Sequence, residues 1–191
     1  MAITVFVGIA FTVFLLDVAM KLAIDQKLEK GEEREIKGTD GKLVLRKVFN
    51  EGFFMGLLSG GHRYVKKAAE YLGIVTLVGN LLYLKVEGRN IRKLGMMLCT
   101  GGIGSNVAER ITRGRVTDYI GLRSGETVFT TITWNLADMA IVVGGVLTAL
   151  SDIVWYLFGR KEKAKVKAAA ASQGITLAKG AAKSVSVIRK K

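Results

Sequence analysis

Asp118, in Gly114-Arg115-Val116-Thr117-Asp118-Tyr119-Ile120, and Asp138, in Trp134-Asn135-Leu136-Ala137-Asp138, each stand at the edge of an apolar segment long enough to enter a membrane. An ionisable side chain at such a place is costly, so it is a functional candidate whose partner should be named. The natural partner of each is the other. Two carboxylates forced together cannot both ionise easily, so one keeps a proton and the pair offers an acid and a base at once. That is the equipment for hydrolysing a peptide bond with water. Asn135 and Asp138 are three apart and share a face if both are helical, and Asn106, Glu109 and Arg110 are placed alike at the end of another apolar segment. These faces are expected to converge on one polar site. The competing reading makes them interhelical hydrogen bonds and a buried ion pair, but such bonds average under about 1 kcal/mol in membranes, so several acids used only as glue would be inefficient. Asp17 and Lys21, four apart, read equally well as a local ion pair that lowers insertion cost or as part of the site. Asn50-Glu51-Gly52, followed by Phe53-Phe54-Met55-Gly56, alone reads as an ordinary turn.

Four apolar segments must position these residues. The first covers 3–24, apolar except for Asp17 and Lys21, and at about 1.5 Å per residue it crosses a bilayer core. A removable signal peptide competes with this reading, but no basic stretch precedes the run and no Ala-x-Ala site follows it. The second, 68–86, is interrupted by Glu70 and Asn80. The third, 94–108, is short and rich in small residues; Gly101 and Ser105 have the four-residue spacing that lets membrane helices approach closely. The fourth, 133–158, carries Gly144 and Gly145 near its middle and Trp155 and Tyr156 as an interfacial anchor. The stretch containing Asp118 reads as a loop. Between the first two spans, 42–49 alternates partially and predicts a short strand or hairpin after a turn at 38–41, with 53–58 touching the interface. The fold class expected is an all-α membrane protein: four transmembrane helices with a small extracytoplasmic β-containing segment, about 25–67, between the first and second spans. Residues 1–159 form one membrane-embedded domain and 160–191 a basic tail.

Composition narrows the classes further. The chain has 191 residues, half of them hydrophobic, and a mean hydropathy of +0.31. Soluble domains reach a similar apolar fraction without concentrating it in long runs. One Cys excludes a disulfide framework and a multi-Cys metal site, and one His excludes a His-based metal cluster. Cys99 is read as packing, Met96 and Met97 as core filler, and His62 as an interfacial surface residue. With no Pro, no helix is kinked by one. The net charge of +13 is concentrated in 160–191, where ten Lys or Arg face a single acid, Glu162. A basic flank beside an apolar segment suits anionic lipid headgroups, and no nucleic-acid motif accompanies it. Lys and Arg tie at 14 on each side of a four-span topology, so they do not set its orientation.

Five blocks, taken in order, resemble the bacterial lipoprotein signal peptidase family, also called signal peptidase II. Asp17-Val18-Ala19-Met20-Lys21 resembles its Asp-Gln-x-x-Lys, with Val18 for Gln. Asn50-Glu51-Gly52-Phe53-Phe54-Met55-Gly56 resembles Asn-x-Gly-x-x-x-Gly. The run from Gly101 through Gly102, Asn106 and Glu109 to Arg110 resembles Gly-Gly-x-x-Gly-Asn-x-x-Asp-Arg, with Ser105 for Gly and Glu109 for Asp. Arg113-Gly114-Arg115-Val116-Thr117-Asp118-Tyr119-Ile120 resembles Arg-Gly-x-Val-x-Asp-Phe-Ile. Trp134-Asn135-Leu136-Ala137-Asp138-Met139-Ala140-Ile141 resembles Phe-Asn-x-Ala-Asp-x-x-Ile. The resemblance spans about 9–145.

It implies an aspartic endopeptidase of the bacterial cytoplasmic membrane, cutting prolipoproteins just before the diacylglyceryl-modified Cys of the lipobox. Asp118 and Asp138 match the catalytic aspartates. Asn106, Arg110 and Asn135 match positions that support the dyad and hold the substrate backbone, and Asn50 matches one that orients substrate. Gly52, Asp17, Lys21 and Glu109 fall within the matched blocks. The resemblance further implies cytoplasmic termini, a dyad near the outer face, inhibition by the cyclic peptide globomycin, and no metal or organic cofactor. A monomer among membrane lipids is expected. The rival classes are a transporter or assembly factor with a buried acid pair, which predicts a midplane site and an internal repeat, and a membrane-anchored binder that depends on its basic tail.

Overall fold

The computed structural model describes residues 3–29, 31–50, 63–123 and 133–159. The first helix, α1 (Ile3–Lys27), buries Phe6, Ala10, Asp17, Lys21 and Ile24. Spacings of three, four and seven place them on one stripe. Around that stripe Val5, Phe11, Leu15, Leu16 and Leu22 are exposed. Charge inside and hydrocarbon outside reverses the pattern of a water-soluble helix and suits a lipid surround. Helix α2 (Arg63–Tyr83) likewise exposes Leu72, Val75 and Leu82.

Helix α3 (Asn90–Arg113) is central, and its small residues explain why. A Cβ on Gly101 would lie 2.5 Å from the Ala10 carbonyl oxygen of α1, and one on Gly102 would overlap the Ala137 carbonyl oxygen of α4 (Leu136–Val154). Two backbones therefore approach opposite sides of one glycine pair, which is the close contact that membrane helices use. Gly144 meets α3 at Gly95, whereas Gly145 has open space beside it. Asn80, an interruption of the second apolar segment, donates to Thr100 Oγ1 at 3.0 Å and to the Met96 carbonyl at 3.2 Å, fastening α2 to α3. Helix α3 ends at Gly114, whose φ of 71° lets its N–H reach the Arg110 carbonyl at 2.9 Å.

A small antiparallel sheet sits among these helices, in the order β1 (Glu33–Glu35), β2 (Leu43–Asn50), β3 (Val116–Leu122), β4 (Thr133–Trp134). The expected strand and its preceding turn are present as β2 and the turn through Gly38, Asp40 and Gly41, all with positive φ. One extra residue on β2 between Leu45 and Val48 forms a bulge, after which Val48 pairs with Asp118. Bulges bend a strand and re-aim the side chains beyond them.

Several boundaries differ from the sequence reading. Asp118 lies on a strand rather than in a loop, so the sheet recruits chain from between the third and fourth apolar segments as well as the first and second. The molecule is mostly helical but not all-α. Helix α3 is longer than 94–108 because its polar ends continue the helix, and Thr133 and Trp134 are strand, so α4 starts three residues late. Among the described residues, Ile3–Lys27 and Leu136–Gly159 are the helices long and apolar enough to cross a membrane. Residues up to Ala149 belong to one compact unit. From Leu150 the described chain holds the end of α4 and a π-helical segment, Trp155–Gly159, in which Tyr156 and Phe158 are exposed. Gly52, the 53–58 stretch, His62 and the basic tail lie outside the described residues.

Candidate active site

The site is built on the start of α4. The first amides of a helix lack intrahelical partners, and here three are taken by side chains, one from β3, one from α1 and one from the residue just before the helix. Leu136 N–H donates to the Tyr119 hydroxyl of β3 at 3.0 Å, Ala137 N–H to Asp17 Oδ1 of α1 at 3.1 Å, and Asp138 N–H to Asn135 Oδ1 at 2.8 Å. Asn135 is thus the N-cap of α4, and Asp138 stands three residues later in the first turn, where a carboxylate is favoured. The two do not share a helix face, as their spacing suggested; Asn135 precedes the helix and reaches back into it.

That cap fixes the amide. Its oxygen is held by a donor, so its nitrogen must find an acceptor: Asn135 Nδ2 donates to Asp118 Oδ1 at 2.7 Å. The other oxygen of Asp118 accepts Asn50 Nδ2 at 3.0 Å. Asp138 Oδ1 accepts Asn106 Nδ2 at 2.9 Å, and Asn106 Oδ1 accepts Lys21 Nζ at 2.8 Å and Asn135 Nδ2 at 3.3 Å. The two carboxyls are therefore joined through Asn135 and Asn106, and both are buried. Burial first, and the Asp138 charge second, push the Asp118 carboxyl up to about 7, against the hydrogen bonds from Asn50 and Asn135. Near neutral pH it is poised to hold or release a proton, as an acid–base group requires.

A second cluster backs this one. Lys21 Nζ lies 2.8 Å from Asp17 and 3.1 Å from Glu109, so the pair four apart in sequence is an ion pair and is also tied to the site through Asn106. Asp17 accepts Ser105 Oγ at 2.6 Å and the Tyr119 hydroxyl at 3.0 Å. Burial, and the adjacent Asp17 carboxylate, raise the Tyr119 phenol above its ordinary range, which keeps it a donor. Glu109 grips the residue beside Asp118: its oxygens accept Thr117 N–H at 3.0 Å and Thr117 Oγ1 at 2.6 Å. Arg110, half-buried, interacts electrostatically with Asp138 and Asp118.

The structure thus brings Asn50, Asp17, Lys21, Asn106, Glu109, Arg110, Asn135, Asp118 and Asp138 together. Gly52 lies outside the described residues. Tyr119, Ser105 and Thr117 join the network without having been singled out as site residues. Their partners are remote in sequence, and only the four-residue spacing of Gly101 and Ser105 hinted at one. Beside Asp138 an apolar hollow of about 400 Å³ is lined by Trp134, Met139, Val142 and Val143.

Comparison with known proteins finds similarity over most of the chain. Residues 9–168 match the family model described as signal peptidase (SPase) II. The lipoprotein signal peptidase of Burkholderia ambifaria (strain MC40-6) is 32% identical over 153 residues, covering 80% of this chain and 89% of the relative. That of Burkholderia vietnamiensis (strain G4 / LMG 22486) is also 32% identical with the same coverage. Two solved structures share the fold. A bacterial membrane enzyme determined by the in meso method at 2.3 Å has a TM-score of 0.69 at 20% identity, covering 80% of this chain and 90% of that one. Another, at 1.9 Å, has a TM-score of 0.66 at 19% identity, covering 78% and 92%.

Proposed function

Because the chain belongs to the signal peptidase II family, we propose that it is an aspartic endopeptidase that removes the signal peptide of prolipoproteins by hydrolysing the bond before the diacylglyceryl-modified lipobox Cys. The observation that carries the mechanism is the junction of two buried carboxyls, Asp118 and Asp138, through Asn135 and Asn106. One of the pair starts ionised and the other protonated, and the proton belongs to the pair. The base takes a proton from a water molecule, which attacks the scissile carbonyl. The acid protonates the carbonyl oxygen, giving a tetrahedral diol. As the C–N bond breaks, the diol returns that proton to the same carboxylate, and the carboxyl that took the water's proton gives it to the leaving amine. Positioned proton transfer of this kind is worth about 10²–10⁴-fold. Asn50 and Asn135 hold Asp118 in place, Asn106 holds Asp138, and Arg110 offers charge to the developing oxyanion or to the substrate backbone. Gly52 remains part of the reading as a substrate-side residue.

The same proposal makes α1 to α4 four membrane spans in the bacterial cytoplasmic membrane, with both termini and the basic tail cytoplasmic and the dyad near the outer face. Its support is that Asp118 lies on the sheet and Asp138 in the first turn of α4, at a helix end rather than a midplane, which disfavours a transporter. The substrate's two acyl chains confine it to the bilayer, at roughly 0.8 kcal/mol per buried CH₂. The apolar hollow beside Asp138 suits those chains, and globomycin-type inhibitors would compete there. The test is cleavage of a diacylglyceryl-modified lipobox peptide by purified protein in detergent, beside Asp118→Asn and Asp138→Asn. Only the wild type is expected to cut, before the lipidated Cys. Near wild-type turnover by either variant would refute the dyad.

A further inference from the structure

Tyr119 has three properties that the chemistry of the dyad does not require. It is fully buried, its hydroxyl is bonded on both sides, and those bonds tie together the elements that carry the two acids. The ring rises from β3 one residue after Asp118. Its hydroxyl accepts the Leu136 amide of α4 at 3.0 Å and donates to Asp17 Oδ1 of α1 at 3.0 Å. The same Asp17 oxygen takes the Ala137 amide at 3.1 Å. Two consecutive amides of α4 are thus pinned to a strand and to another helix, immediately before Asp138. The opposite oxygen of Asp17 is held by Ser105 and Lys21, so the acceptor cannot drift.

We propose that Tyr119 is a positioning residue for the dyad: its shared hydroxyl fixes the distance between Asp118 on β3 and Asp138 on α4. Asp118 and Asp138 repel whenever both are charged, so the strand and the helix start tend to move apart, and the Tyr119 bridge opposes that motion. Asn135 cannot do so alone, because its side-chain bonds run to the two acids and to Asn106, which itself bonds Asp138. The inference rests on the proposed peptidase reaction.

The test is Tyr119→Phe, which keeps the ring and removes only the hydroxyl. A misplacement of about 1 Å can cost up to about 10²-fold in rate, and a tenfold fall in kcat with KM within about twofold is expected for partial loosening. The alkaline limb of the pH–kcat profile reports loss of the proton that the pair shares. The charged groups facing Asp118 are Asp138 from α4, Lys21 from α1 and Arg110 from α3. Only the first moves with the start of α4. The limb should therefore shift to lower pH, by about half a unit per ångström of added separation at an effective dielectric of about 20. Amide exchange at Leu136 should quicken in the same protein, showing that the bridge is broken in a folded molecule. A wild-type rate and profile with faster exchange would make Tyr119 a helix cap only and overturn the inference. So would an equal loss at every pH with the limb unmoved. Cleavage by Asp118→Asn, or none by the wild type, would instead sink the peptidase reading, and this inference with it.

Discussion

Asp118→Asn should abolish cleavage and yet make the protein more stable, by an amount that depends on pH. The carboxyl ionises near 3.8 in an unfolded chain and near 7 in the folded one. Below about pH 4 both states hold the proton and nothing is lost. Between about 4 and 7 the unfolded chain releases it while the folded one keeps it, so stability falls as pH rises; above about 7 the full cost is present. Some three units at about 1.4 kcal/mol each give about 4 kcal/mol as an upper figure. Asn never ionises, but its own NH₂ must face one of the two donors that now bond Asp118. Asn135 cannot turn over, since Asp138 N–H holds its oxygen, so Asn50 must, at about 1 kcal/mol or more. A net gain of about 2–3 kcal/mol is expected near pH 8, which for a chain of this size is about 5–10 °C in Tm. Thermal unfolding in detergent at about pH 4.5 and pH 8, wild type against variant, reads this directly, with the gap opening only at the higher pH. A variant no more stable at pH 8, or equally more stable at both, would refute the claim that Asp118 is strained by burial beside a second acid.

The packing makes two further outcomes testable. Lys21→Met leaves Asp17 and Glu109 buried without their shared cation and should cost about 3–5 kcal/mol in a denaturation series; a loss under about 1 kcal/mol would mean that the cluster does not depend on the lysine charge. Gly101→Ala places a methyl against the Ala10 carbonyl and should cost about 1–3 kcal/mol, whereas Gly145→Ala, with open space beside it, should gain up to about 1 kcal/mol from helix propensity. Equal effects at the two positions would show that α1 and α3 are not in backbone contact.

The apolar helices were legible because hydrophobic runs are local. Their ends were not. Helix α3 continues through Asn90 to Lys93 and again through Glu109 to Arg113, residues whose polarity looks like a loop until their partners are known: Arg113 reaches Asp25 of α1, and Lys93 lies over the Phe6 ring. The sheet was half legible. Residues 42–49 alternate and come after a glycine turn, but Val116 to Leu122 is short, carries an acid in its middle and becomes a strand only by pairing with β2, a contact made across α2 and α3 in sequence. A strand whose burial comes from helices far away in the chain leaves little periodicity to read.

The site shows the same limit more sharply. Residue type was enough to single out Asp118 and Asp138, since carboxylates beside apolar runs are rare and expensive. The spacing of Asn135 and Asp138 led to the right neighbours by the wrong geometry. A shared helix face would leave the Asn135 amide free to turn either way. As an N-cap its oxygen is committed to Asp138 N–H at 2.8 Å, and only its nitrogen remains for Asp118. Which residue starts the helix therefore decides which atom meets the acid on the strand. One residue's shift in that start would turn the amide away from Asp118 and break the link between the two carboxyls. Sequence spacing cannot resolve such a shift, because the start is set by Tyr119 and Asp17 taking the next two amides, and these lie on other elements. The acids are thus written locally in the chain, while the geometry that couples them is written in three side chains, one from β3, one from α1 and one from the helix's own cap, converging on one helix end.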